Sequence, residues 1–85
     1  MIEKEIKKLS QKIIVAAKNN KVVIATAESC TGGLIGSSLT SIPGSSIAYD
    51  RGYITYSNES KSDLLNIDIE LINKYGAVSE EIAIL

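Results

Sequence analysis

The sequence predicts an α/β fold in which helices flank a small mixed or parallel sheet. That expectation rests on an amphipathic first segment, a short run apolar on both faces directly after it, and a second strand-like run set off by another helical segment. At 85 residues the chain makes one domain at most, and a chain of this size buries only about 60 to 65% of the surface its unfolded form exposes. Hydrophobic residues at 45% and charged residues at 22% place it among ordinary globular chains, not disordered or fibrous ones.

Ile2, Ile6, Leu9, Ile13, Ala16 and Ala17 recur at steps of three and four residues between lysines, so residues 2–18 read as an amphipathic helix stopped by Asn19 and Asn20. The run VVIAT, residues 22–26, is short, β-branched and apolar on both faces, as a strand inside a parallel or mixed sheet requires. Leu34, Ile35, Ser38 and Leu39 keep helical spacing until Ser41-Ile42-Pro43-Gly44 closes the helix with a turn. Gly33 and Gly36 fall on that helix. Glycine weakens a helix by about 1 kcal/mol relative to alanine, so this pair points to close backbone approach to a strand or a ligand. In IAYDRGYITY, residues 47–56, Ile47, Tyr49, Tyr53 and Thr55 alternate with Ala48, Ile54 and Tyr56, and the interruption at Gly52 suggests a bulge in a second strand. Ser57 or Asn58 caps a helix through Leu65. Asp68 caps another that ends at Tyr75 with Gly76 as its stop, and Ser79 caps a third with Glu80 and Glu81 at its positive end.

That third helix has under two turns before the apolar residues Ile82, Ala83, Ile84 and Leu85, and two strands are fewer than a stable sheet needs. Residues 1–85 are therefore expected to form a single partial domain. Such a domain is expected to associate, as a homo-oligomer or with a complementing chain.

Charge is unevenly spread: residues 1–21 hold six lysines against Glu3 and Glu5, and the remainder holds two lysines, one arginine and eight acids. The lysines are not interleaved with aromatics, so they read as a solvated helix face and no nucleic-acid partner is expected. No apolar run approaches the roughly 20 residues of a membrane span, and Met1 to Leu9 lacks the apolar core of a signal peptide, so no membrane partner and a cytoplasmic location are expected. The single cysteine forbids an intrachain disulfide and, with no histidine present, excludes the usual zinc spacings. Neither a protein-held metal nor a cofactor is expected.

Without histidine, neither a Ser-His-Asp triad nor a Cys-His pair can form within the chain. A nucleophile would have to be activated by a lysine and by the positive end of a helix. The stretch TAESCTGG, residues 26–33, lies between a strand and a helix start, the arrangement that cradles a phosphate or an oxyanion. No GxxxxGK[ST] or GxGxxG spacing occurs, so neither a nucleoside triphosphate nor a dinucleotide is indicated. Within the turn, Ser29 is a nucleophile or a plain N-cap, and Cys30 is a thiolate nucleophile or small core packing. Glu28 orients a base, binds a hydroxyl, or is an exposed turn carboxylate, while Thr31, Gly32 and Gly33 complete the anion-facing turn. A second polar cluster, TYSNESK at residues 55–61, gathers Tyr56, Ser57, Asn58 and Lys61. Lys61 is a base or a solvated helix lysine, and Tyr56 is a site residue or packing with a wet hydroxyl. In the third cluster, PGSS, the residues Gly44, Ser45 and Ser46 bind phosphate or simply turn the chain.

Taken together, TAESCTGG, the IPGSS turn, RGYITYSNESK and YGAVSEE resemble the CinA C-terminal domain family, the PncC-type nicotinamide-nucleotide amidases, across nearly the whole chain. The resemblance implies a truncated CinA C-terminal-like α/β domain. It also implies hydrolysis of the carboxamide of nicotinamide mononucleotide to nicotinate mononucleotide and ammonia, with that small molecule as partner and no metal or cofactor. By the same resemblance Ser29 is the nucleophile, Lys61 its base, and Tyr56 a residue that holds or relays the proton. Substrate binding falls to Glu28, Cys30, Thr31, Gly32, Gly33, Gly44, Ser45 and Ser46, with the phosphate on either glycine-bearing turn. The family's domain continues through a GIAGPGG-type segment, further strands and a later arginine, so this chain resembles its first half, and Arg51 in the second strand does not match that arginine. An inactive nucleotide-binding or remnant protein is the alternative to the amidase.

Overall fold

The computed structural model describes residues 2–85. In chain order it contains α1 (Ile2–Asn19), β1 (Ile24–Glu28), α2 (Leu34–Thr40), a short 3-10 turn (Ser45–Ile47), β2 (Tyr49–Ile54), α3 (Asn58–Leu65), α4 (Ile69–Tyr75) and α5 (Glu80–Ile84). The two strands pair in parallel, and α2 forms the crossover between them, which is how parallel neighbours must be joined. The α/β expectation is thereby borne out, with the parallel arrangement as the form the sheet takes.

Helix α1 follows its apolar spacing, but the stripe it buries is Ser10, Ile14 and Ala17. Leu9 and Ile13, expected on the buried face, stay exposed beside Leu34 and Ile35, along a shallow apolar groove between α1 and α2. Ser10 tolerates burial because its hydroxyl donates to the carbonyl of Ile6 at 2.7 Å. One core cluster forms from Ile14, Ala17, Leu39, Ile42 and Ala48, with Ile24 and Tyr49 packed against it.

The first strand begins two residues later than its β-branched run suggests. Lys21 adopts a left-handed conformation, φ 54°, and the Val22 N–H returns to the Ala17 carbonyl, so Val22 and Val23 belong to the turn and are exposed. Pairing with β2 then extends β1 through Glu28.

The bulge also lies elsewhere than expected. Ile24 pairs with Tyr49 and Ala25 with Arg51, leaving Asp50 as the extra residue, while Gly52 pairs regularly with Thr26. An extra residue reverses the alternation beyond it. Tyr49 accordingly meets Thr26, their hydroxyls 2.7 Å apart on the face covered by α2, whereas Tyr53 pairs with Ala27 on the opposite face. The two tyrosines, assigned by alternation to one face, are separated.

The last three helices start where their caps predict: the side chains of Ser57, Asp68 and Ser79 accept from the N–H groups of Ser60, Glu70 and Ile82. Their apolar faces form a second cluster, Ile67, Ile72 and Ile82, with Leu65, Leu71 and Ala77 at its margin. In this layer α3 packs on α4, and Lys61 of α3 reaches the carboxyl ends of both strands through Ser29 and Thr55.

Candidate active site

Ser29 is the first residue after β1, and Lys61 lies in the first turn of α3, 32 positions later. The parallel register brings them together, because both follow the carboxyl ends of paired strands. The Lys61 Nζ lies 3.0 Å from the Ser29 Oγ, and it also donates to the main-chain carbonyls of Thr55 at 2.8 Å and Tyr56 at 3.1 Å. Lys61 is only 5% exposed. A lysine so deeply buried is rare unless its donors are met, and here three acceptors match the three protons of an ammonium group.

The same geometry suits the neutral amine. Two carbonyls, which can only accept, take its two N–H donors and leave the lone pair to face the Ser29 hydroxyl. Thr55 sets this direction. Its N–H donates to the Glu28 carbonyl at 2.8 Å, continuing the sheet one residue beyond β2, and its side chain is buried. Thr55 carries no site signal in the sequence, because a backbone carbonyl leaves no signature in residue type.

Glu28 is not a turn-exposed carboxylate: it is 5% exposed and faces the first turn of α2. One oxygen accepts from the Thr31 hydroxyl at 2.8 Å and the Ile35 N–H at 2.7 Å, and the other accepts from the Gly36 N–H at 2.9 Å. Burial pushes this carboxyl up, but the N–H groups of Gly36 and Ile35, the Thr31 hydroxyl and Gly33 outweigh burial, leaving its pKa below the ordinary carboxylate value.

A strand-turn-helix with a serine facing a buried lysine invites comparison with known proteins. The family described as "CinA C-terminal domain" matches residues 6–85. The chain belongs to the CinA C-terminal domain family. Among its CinA-family relatives, the nicotinamide-nucleotide amidohydrolase PncC of Enterobacter agglomerans is 46% identical over 82 residues, covering 96% of this chain and 50% of that protein. PncC of Escherichia coli K12 is 39% identical, covering 99% of this chain and 51% of the relative. A solved structure of a competence/damage inducible protein from Agrobacterium tumefaciens superposes with TM-score 0.90 at 44% identity, over 93% of this chain and 48% of that one. The CinA-type chain thus spans about half the length of these relatives.

The remaining candidates in this CinA-type fold are placed unequally. The Thr31 hydroxyl is taken by Glu28, and Gly32 and Gly33 both have positive φ, 62° and 102°. Gly33 is the N-cap of α2 and lies outside the helix itself. The Gly32 N–H is spent on the Ser29 carbonyl, and those of Ile35 and Gly36 on Glu28, whereas the Cys30 N–H meets no described residue. The side chain of Cys30 is exposed, which corrects the core-packing alternative.

Tyr56 meets the site through its carbonyl. The residue is 77% exposed, and no described residue bonds its phenol. Gly44, Ser45 and Ser46 precede β2, at the opposite end of the sheet from Ser29, and a strand of that length spans about 17 to 20 Å. Ser45 is buried and its hydroxyl reaches toward the Thr40 carbonyl at 3.4 Å. Within one chain, therefore, PGSS does not join the turn that holds Ser29. A cavity of about 390 Å³ adjoins Ser29 and Lys61, walled by Leu65, Ile67, Ala77, Ile82 and Leu85. Among the described residues, no cluster of potential metal ligands occurs and no helix is long and apolar enough to cross a membrane.

Proposed function

We propose that this chain carries the nucleophile and base of an amidase that hydrolyses the carboxamide of nicotinamide mononucleotide to nicotinate mononucleotide and ammonia. The observation that supports the reading is the 3.0 Å contact between Ser29 Oγ and the buried Lys61 Nζ, whose other two bonds go to carbonyls. In this reading neutral Lys61 takes the Ser29 proton as Oγ attacks the carboxamide carbon. The free Cys30 N–H, one residue from the nucleophile, stabilises the oxyanion of the tetrahedral intermediate. The C–N bond then breaks, Lys61 returns its proton to the departing nitrogen, and ammonia leaves. Water attacks the resulting ester and gives a proton to Lys61, which passes it to Ser29 Oγ as the ester C–O bond breaks, releasing the nicotinate product and restoring both residues. Tyr56 contributes through the carbonyl that holds Lys61.

The named substrate of the PncC relatives supports the choice of amide. Remaining ribose and phosphate contacts, in this proposal, are supplied by a second copy or a complementing chain that completes one partial domain in the cytoplasm. A second reading, an inactive nucleotide-binding or remnant protein, draws on the left-handed Gly32 and Gly33, which keep the turn after β1 in an anion-facing form whether or not turnover occurs. Ammonia release from nicotinamide mononucleotide by the purified chain and its Lys61→Met variant separates the two. Turnover that the variant loses is expected, and a folded chain without turnover would favour the inactive reading.

A further inference from the structure

We propose that Glu28 is a positioning residue for the Ser29–Lys61 pair. Its effect on turnover rests on the amidase reading, but the geometry stands apart from it. Two arms of this one residue grip the site. Through its main chain, Glu28 accepts the Thr55 N–H at 2.8 Å, and the Thr55 carbonyl in turn accepts Lys61 Nζ at 2.8 Å. Through its side chain it accepts from Thr31, Ile35 and Gly36, tying the Ser29 turn to α2. Ser29 is the next residue in the chain, so both atoms of the pair are located from Glu28: the nucleophile by peptide connectivity, the base through one intervening carbonyl.

The surroundings keep room for this carboxylate. A Cβ on Gly36 would stand 2.8 Å from the Tyr49 hydroxyl, closer than real contacts come, and would crowd a Glu28 oxygen at 3.3 Å. Glycine at 36 therefore lets the α2 backbone approach closely enough to donate. A substrate-binding role would need the carboxylate to face outward, and its three donors hold it inward. Glu28 takes the Ile35 and Gly36 N–H groups of α2, while the Cys30 N–H beside the nucleophile meets no described residue. A misplacement of about 1 Å in such a pair costs up to about a hundredfold in rate.

The test is covalent labelling of the 85-residue chain by a fluorophosphonate, followed by intact mass, for the wild type, Glu28→Gln and Glu28→Ala, with Ser29→Ala as blank. Crystal structures of the wild type and the Glu28→Gln variant accompany it. Glutamine keeps the shape but turns one acceptor into a donor facing an N–H. Expected are full labelling of both Glu28 variants at a rate about tenfold or more below wild type, and a Ser29–Lys61 separation beyond hydrogen-bond range. Partial labelling at the wild-type rate would mean that Glu28 only stabilises the fold, and would overturn the proposal. So would an unchanged rate with the contact intact. If Glu28→Ala does not fold, Glu28→Gln alone decides. A wild type that resists labelling would count against Ser29 as nucleophile, and the crystal structures would then settle the role of Glu28: a displaced pair supports it, an undisturbed pair refutes it.

Discussion

Two turns in this chain are built from nearly the same residues: SCTGG after β1 and PGSS before β2. Both use left-handed glycines, with φ of 62° and 102° at Gly32 and Gly33 and 80° at Gly44. Both offer serines and short side chains. Yet the first faces a buried lysine, and the second closes over the end of α1, where a Cβ on Gly44 would stand 2.7 Å from Lys18 Nζ. Connectivity makes the difference. In a parallel sheet the loops after the strands converge at one end, and here that end collects Ser29 and Lys61, while PGSS leads into β2 from the other. Composition marks where the backbone bends, and topology decides which bend becomes a site.

Substitutions can break this contrast. The largest expected effect belongs to Ser29→Ala, which should lower ammonia release by about a thousandfold or more, followed by Lys61→Met at about a hundredfold to ten-thousandfold, both read as kcat on nicotinamide mononucleotide. Retained turnover in either would remove that residue from its role. Gly36→Ala comes next, since its methyl would collide with Tyr49 and crowd Glu28. It should cost about 1 to 3 kcal/mol in denaturant unfolding, as overpacking does. Gly44→Ala is the counterpart on the other turn. Its left-handed backbone should cost about 1 to 2 kcal/mol, while turnover per folded molecule stays unchanged. A specific loss of turnover there would contradict the division between the two ends.

The smallest expected effect is on pH dependence. Because hydrogen bonding holds the Glu28 carboxyl below its ordinary value, its contribution to stability is fully present above the unfolded carboxylate value of about 4.3. It is lost as pH falls through the lower folded value. The stability difference between wild type and Glu28→Gln should therefore shrink below about pH 4. A difference constant from pH 7 to pH 3 would show that the charge of Glu28 contributes nothing.

The elements governed by local chemistry were legible in the sequence. Ser57, Asp68 and Ser79 cap their helices through their own side chains, and Gly76 stops α4, each within one or two turns of backbone. Features set by long-range pairing were not. The start of β1 depends on its register with β2, so β-branched Val22 and Val23 misplace it, and the bulge at Asp50 carries no residue signature comparable to the glycine two positions on. Glu28 reads as exposed because carboxylates usually are. Its donors in α2, Ile35 and Gly36, lie seven and eight residues downstream and meet it only once α2 packs on β1. The Ser29–Lys61 pair was nameable by motif, but its geometry depends on the carbonyls of Thr55 and Tyr56, which any residue type could supply.

The most direct measurement is acid-quench mass spectrometry of the chain during reaction with nicotinamide mononucleotide. An acyl adduct on the peptide containing Ser29, localised by fragmentation to its side chain and absent from Ser29→Ala, is the expected result. An adduct on the exposed thiol of Cys30, or turnover that persists in Ser29→Ala, would contradict the Ser-Lys site at the carboxyl end of the sheet.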